Sequence, residues 1–242
     1  MFSLDRGKSL KRLFVILALL VLVSGSAISH ANAAQGTPHW TADTILARMD
    51  AAGKSFKSLT ADLQHIKYTA VVKDTSTETG RIFVRRDEKM RIEITSPDKR
   101  TILRSGDSLY VYSPKINRVE EYDLGKNRSM VDQYVLLGFG TKSENVKKNY
   151  DVTLIGEDKL DNKSTLILEL TPKSAQIRGQ IAKIQMWVDE ASWMPIQQKF
   201  FEPAEGDYFL FHYSNVKQNL KIDESEFKQD WPKNVSRIKP QK

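Results

Sequence analysis

The side chains best suited to chemistry are four histidines, His30, His39, His65 and His212, and two adjacent carboxylate pairs, Glu120-Glu121 and Asp223-Glu224. A zinc site needs ligands at paired spacing, and covalent catalysis needs a nucleophile beside a base. None of the histidines has that paired spacing, His65 and His212 are isolated within strands, and the chain has no cysteine to help them. Neighbouring residues on a strand face opposite sides, so the adjacent carboxylates cannot form an acid/base pair there and read as solvated charge. The chain also lacks G-x-S-x-G, a phosphate-binding loop and a dinucleotide fingerprint. Asn127, Asn162 and Asn234 open glycosylation sequons, matches short enough to arise by chance and meaningful only in a eukaryote. No catalytic residue, no metal and no cofactor is expected.

The elements carrying these side chains are the clearer signal. From Arg81 to Glu121 the chain reads RIFVRR, KMRIEI, RTILRSG, SLYVYSP and NRVEEY, separated by Asp-Glu, Pro-Asp, Gly-Asp and Pro-Lys breaks. Met90, Ile92 and Ile94 point one way; Arg91, Glu93 and Thr95 point the other. This period of two predicts antiparallel sheet with an oily face and a charged one. Leu59 to Val72 precedes the run as a long strand, with a polar turn over Lys73 to Thr79. After a charged turn, Lys142 to Asn149, alternation resumes at Val152-Leu154, Leu166-Leu168-Leu170, Ile184-Met186-Val188, Pro195 to Phe201 and Tyr208 to Tyr213.

Two helices are expected. Thr41 suits an N-cap and Asp43 the first turn; Ala42, Ile45, Leu46, Met49 and Ala52 form one stripe, and Gly53 suits the end. The second, Met130 to Leu137, starts from Ser129 and Asp132, ends at Gly138, and is apolar nearly all round, so it must lie against an oily surface. The tail from Asp223 is charged, carries Phe227, Trp231 and Pro232, and is expected to end in a disordered basic run.

Residues 1–33 read as a signal peptide: Arg6, Lys8, Lys11 and Arg12, then the apolar run Leu13 to Val23, then Ala31-Asn32-Ala33 as cleavage site. The apolar run is short of the roughly 20 residues a membrane span needs. Cleavage near Ala33 leaves a single exported domain, residues 34–242. Of the formal charge of +7, the signal removes +3. The remainder forms no Lys/Arg stripe with interleaved aromatics, so nucleic acid is not an expected partner.

A sheet of this length needs a cover over its apolar face, and two helices make a small one. Periodicity alone leaves open both an ordinary filled core and a cavity of the kind that takes acyl chains.

The tract G-x-I-F-V-R-R at Gly80 to Arg86, with P-D-x-x-x-I-L-x-S-G-D-x-L-Y-V-Y-x-P from Pro97 to Pro114, resembles the outer-membrane lipoprotein carrier family of the LolA type. The order of the remaining strands and the closing F-x-x-x-x-P at Phe227 to Pro232 are also similar. The resemblance implies an unclosed antiparallel β-barrel, a half-barrel with a helical lid over a hydrophobic cavity. Its implied function is a periplasmic carrier that binds the acyl chains of lipid-modified proteins as a monomer, loaded by an inner-membrane release complex and unloaded by an outer-membrane acceptor. It further implies that Arg86 is a lid latch, although Asp87 stands where the family usually has proline. Ile45, Leu46 and Met49 would line one lid helix, Tyr134, Leu136 and Leu137 the other, and Met90, Ile92, Ile94, Leu109 and Val111 the cavity floor. Alternation does not say which sheet face is concave. Rival readings are a carrier of free lipid or glycolipid, an envelope-stress sensor module of similar fold, and an exported hydrolase.

Overall fold

The computed structural model describes residues 40–125 and 137–240. The expected signal peptide, His30, His39 and the stretch from Met130 to Leu136 lie outside these residues.

Helix α1 (Ala42–Ser55) starts where a threonine pair can satisfy its free amides. The Thr41 hydroxyl accepts from the Thr44 amide at 3.2 Å, and the Thr44 hydroxyl accepts from the Thr41 amide at 3.0 Å, a reciprocal cap with threonine in place of the usual glutamate. Ile45, Leu46 and Met49 form its buried stripe. The helix runs past Gly53, which had been expected at its end. A Cβ at Gly53 would sit 3.3 Å from Gly140 Cα, so this glycine serves close approach to a turn.

The strands are β1 (Ser58–Thr69), β2 (Asp74–Arg85), β3 (Lys89–Ser96), β4 (Arg100–Ser105), β5 (Ser108–Ser113) and β6 (Arg118–Asp123). After helix α2 (Ser143–Asn149) come β7 (Tyr150–Leu160), β8 (Lys163–Pro172), the short α3 (Ala175–Arg178), β9 (Lys183–Asp189), β10 (Pro195–Phe201), β11 (Tyr208–Gln218) and β12 (Ser236–Ile238). They form one 12-stranded sheet in the order β12-β6-β5-β4-β3-β2-β1-β11-β10-β9-β8-β7. Two antiparallel meanders thus join through β1 and β11, and the sheet does not close into a barrel. All neighbours are antiparallel except β12, which runs parallel to β6.

Three local expectations are corrected. The polar stretch Asp74–Thr79 is strand, paired residue for residue with Gln64–Thr69, and the turn is only Ala70–Lys73. The ladder bonds are main-chain bonds, and threonine tolerates the extended backbone well. The charged turn is helix α2, held to α1 by Asp50, whose carboxylate accepts from the Ser143 amide at 2.8 Å. The basic run expected to be disordered carries strand β12, preceded in the tail by a 3-10 turn at Glu224–Phe227 and by Trp231.

The folded tail also covers the charged face of β3. Phe227, Trp231 and Val235 pack on Phe83, Leu103 and Val119 as a second core. Arg91 is buried beneath them, its guanidinium bonded to Glu93 at 2.7 Å, Asp230 at 2.8 Å and the Glu226 and Lys228 carbonyls at 3.4 Å. Nearby, Glu224 accepts from Lys89 and from Arg85, which also grips Asp87. Hydrogen bonds from Lys89 and Arg85 hold the Glu224 carboxyl below its ordinary value, and the Arg85 bond does the same for Asp87. Carboxylates with depressed pKa contribute stability that is full above their unfolded values of 4.5 and 3.8 and is lost as pH falls through the folded ones. Thermal melts should therefore show a midpoint that drops below about pH 4. Glu224→Gln should have a lower midpoint at neutral pH and a flatter acid limb; an unchanged acid limb would count against this assignment.

The two edges of the sheet are finished differently. Edge strand β7 carries a bulge between Leu154 and Gly156, leaving Ile155 outside the regular register and 47% exposed. The opposite edge ends in the three residues of β12, where the Ser236 amide donates to the Asn117 carbonyl at 3.0 Å.

Candidate functional site

The register settles which side chains share the face covered by the helix. Leu59 pairs with Val84, Val84 with Met90, Met90 with Arg104 and Arg104 with Leu109. One step along, Ala61, Ile82, Ile92, Ile102 and Val111 form a second row. Leu63, Gly80, Ile94 and Arg100 form a third. Met90, Ile92, Ile94, Leu109 and Val111 therefore lie on one face, as expected. The same face continues through Tyr213, Phe211, Gln198 and Met186 to Leu168.

Cover over this face is uneven. Ile45, Leu46 and Met49 pack on Leu166, Leu168, Leu170, Ile184, Met186 and Phe200, so α1 sits on the β8–β10 half. Met90 and Ile94 belong to a different cluster with Leu59, Ile82, Val84, Phe139 and Tyr213. The helix residues and the floor residues expected from sequence are thus not one cluster. Leu137 is buried with the helix group, and its carbonyl accepts from the side-chain Nε2 of the buried Gln198 at 2.8 Å. Tyr134 and Leu136 lie outside the described residues. Ile92, Ile102, Leu109 and Val111 are only half-buried, a contiguous apolar strip across β3, β4 and β5.

Arg86 stands just past the end of β2. Its amide donates to the Lys57 carbonyl at 2.9 Å. Its guanidinium Nη1 donates to the Lys54 carbonyl at 3.2 Å and the Phe56 carbonyl at 3.4 Å. These are carbonyls at the C-terminal end of α1, which have no partner within a helix. Asp87 pairs instead with Arg85, whose Nε donates to it at 2.7 Å on the tail-covered side. Arg86 also borders a cleft of about 780 Å³ lined by Phe56, Val84, Phe139, Val146 and Tyr150.

Sequence reasoning named His65 as isolated and missed three other polar side chains on this face, Arg104, Arg100 and Glu78. Arg104 is fully buried, with Nε donating to the Gly106 carbonyl at 3.4 Å. Further along, Arg100 Nη2 donates to both oxygens of Glu78 at 2.9 and 2.8 Å, and His65 Nδ1 lies 3.0 Å from the same carboxylate. The available signal was parity. Arg104 lies two residues beyond Ile102 and Arg100 two before it, so both share its face. His65 is thus not isolated, and neither is His212, whose Nε2 lies 3.0 Å from Asp161. Among the described residues, no group of three or more His, Cys, Asp or Glu side chains is placed to hold a metal ion.

Residues 86–221 match a protein family described as "Uncharacterized protein"-like. The outer-membrane lipoprotein carrier protein of Serratia proteamaculans (strain 568) is 28% identical over 158 residues, covering 65% of this chain and 69% of that protein. The protein of the same name from Yersinia enterocolitica is 27% identical over the same shares. Among solved structures, an uncharacterized conserved protein from Thermus thermophilus aligns at a TM-score of 0.54 and 13% identity, over 82% of this chain and 99% of that one. At such identity the likeness is one of fold.

Proposed function

Because this chain belongs to the LolA-like family, we propose that it is a periplasmic carrier that binds acyl chains on the helix-covered face of its sheet and does no chemistry. The cargo is the lipid-modified end of lipoproteins, taken from an inner-membrane release complex and passed to an outer-membrane acceptor. The working domain begins near residue 34, after a signal cleaved near Ala33, and acts as a monomer. The observation that carries this reading is the half-buried strip Ile92, Ile102, Leu109 and Val111, on the same face that α1 covers only in part. Each methylene moved from water onto such a strip contributes about 0.8 kcal/mol. A few buried methylenes per chain give useful affinity without making it irreversible.

Arg86 is the latch in this account. Its bonds to the Lys54 and Phe56 carbonyls stabilise the arrangement with α1 in place. Cargo competes with that arrangement, so bonds that favour the unloaded protein favour release. Arg86→Leu removes them and should slow release of a triacylated lipoprotein about tenfold, the effect of about 1.4 kcal/mol. The test is binding and hand-on of a purified triacylated lipoprotein by wild type and variant. Saturable binding by both, with slower release by the variant, supports carrier and latch. Equal release rates remove the latch and leave the carrier. Binding of free phospholipid but not of lipoprotein replaces this reading with the free-lipid carrier.

A further inference from the structure

Where the apolar rows of the floor end, the same face turns polar. Arg100 pairs directly with Ile94 across β3 and β4, and Glu78 lies two residues before Gly80 on β2. His65 lies two residues beyond Leu63 on β1, its ring stacked on Phe211 at 4.8 Å and edge-on to Phe209 at 6.2 Å. The three charged or titratable side chains are about one-fifth to one-third exposed: His65 24%, Glu78 21% and Arg100 34%. An ion pair held half out of water beside oily rows is costly, and apolar residues at these inward positions would pack at least as well. The cluster therefore calls for a reason beyond stability.

We propose that this cluster is an anion-accepting subsite, with Arg100 as its principal donor, that takes the negatively charged head of an amphiphile whose chain lies along the strip. The inference rests on the acyl-binding reading of that strip and adds to it the chemistry of the head. Both bonds from Arg100 to Glu78 leave from one nitrogen, Nη2. A guanidinium has five N–H donors in a planar fork, and among the described residues nothing takes those on Nε or Nη1. A phosphate or carboxylate can dock two oxygens on that remaining edge while Glu78 keeps the guanidinium oriented. His65, bonded to the same carboxylate and packed against the Phe209 and Phe211 rings of β11, fixes Glu78 from the other side. Lys67, on the same face one pair further along, adds a second positive charge at the rim, 3.5 Å from Glu202.

The experiment is calorimetric titration of the purified protein with dodecyl phosphate and dodecyl maltoside below micelle-forming concentrations, with inorganic phosphate as a third probe. Wild type should bind the phosphate amphiphile about tenfold more tightly than the neutral one, the effect of about 1.4 kcal/mol expected for charge-assisted bonds. Arg100→Gln should abolish that preference while leaving affinity for the maltoside unchanged. Glu78→Gln should increase the preference, since the Gln side-chain oxygen still accepts from Arg100 and holds it in place while the negative charge beside the incoming anion is gone, an effect of opposite sign that loss of structure would not produce. Equal wild-type affinities, or equal losses for both amphiphiles in Arg100→Gln, overturn the subsite and leave the acyl-binding strip standing. Inorganic phosphate that binds as tightly as its dodecyl ester also overturns it, since the chain would then play no part. Binding of neither amphiphile overturns the strip itself.

Discussion

Trp231→Ala should destabilise the protein by about 3–5 kcal/mol, among the largest losses expected of any single side chain outside the main core. Trp231 is 8% exposed and touches the rings of Tyr110 and Tyr112 at centroid distances of 5.6 and 5.7 Å. It stands between Phe227 and Val235 in sequence and over Leu103 and Val119 in space. Its indole N–H finds no acceptor among the described residues, so its contribution is almost wholly apolar burial and ring contact. Its removal also exposes Arg91, whose bonds to Asp230 and the Glu226 and Lys228 carbonyls depend on the tail staying in place. Urea unfolding followed by far-UV dichroism is the direct measurement. A midpoint shift worth less than about 1 kcal/mol, the range of ordinary surface changes, would mean that the tail is an accessory to the fold and not part of it.

Gly80→Ala should be comparably damaging for a different reason. A Cβ built at Gly80 would lie 1.9 Å from the Glu93 carbonyl oxygen and 2.9 Å from Ile94 Cα. These are backbone atoms of the neighbouring strand, so no rotamer change relieves the clash; β2 and β3 must separate. The pairing already shifts register between Thr79 and Gly80, which brings the two backbones together at this point. Overpacking against rigid neighbours costs about 3 kcal/mol at the upper end of its usual range, and more where backbone must move. In a domain of this size that corresponds to a fall in Tm of about 6–12 °C. Gly156→Ala is the matched control: a Cβ there meets nothing within 4 Å, and the change should stay within about 0.5 kcal/mol. Equal melting temperatures for the two variants would show that the close approach at Gly80 is not rigid.

The alternation Met90, Ile92, Ile94 was legible because a strand with one apolar face repeats every second residue, and the register places these side chains with Leu109 and Val111 on the expected common face. The Thr41 cap and the Ile45, Leu46 and Met49 stripe were legible for the same kind of local reason. What could not be read was anything set by distant chain. Arg91 looks like a solvent-facing strand residue, and only a tail about 140 positions later converts it to a buried hub. The extension of β2 through Thr75–Thr79 was hidden because main-chain pairing leaves no apolar signature. Likewise, the chain before Gly80 does not announce that Glu78 will meet Arg100 across two strands. Ile45 and Met90 were both assigned to one cavity, yet they pack in separate clusters, since sequence alone does not say how far along a 12-stranded sheet a helix will lie.

The two finished edges bear on how such a protein survives at high concentration. An open sheet of twelve strands ends in unsatisfied main-chain donors and acceptors, a template onto which a second molecule can add its own strand and begin a fibre. Here one rim stops after the three residues of β12, and the other is bent by the bulge at Ile155 and flanked by Asp151, Glu157, Asp158 and Lys159. Neither presents a long straight ladder. The half-buried apolar strip of β3, β4 and β5 thus lies on a face of the sheet, between two rims that are each short or bent. Deleting Ile155 straightens one rim, and the consequence to look for is slow, seed-dependent polymerisation by the variant and not by wild type.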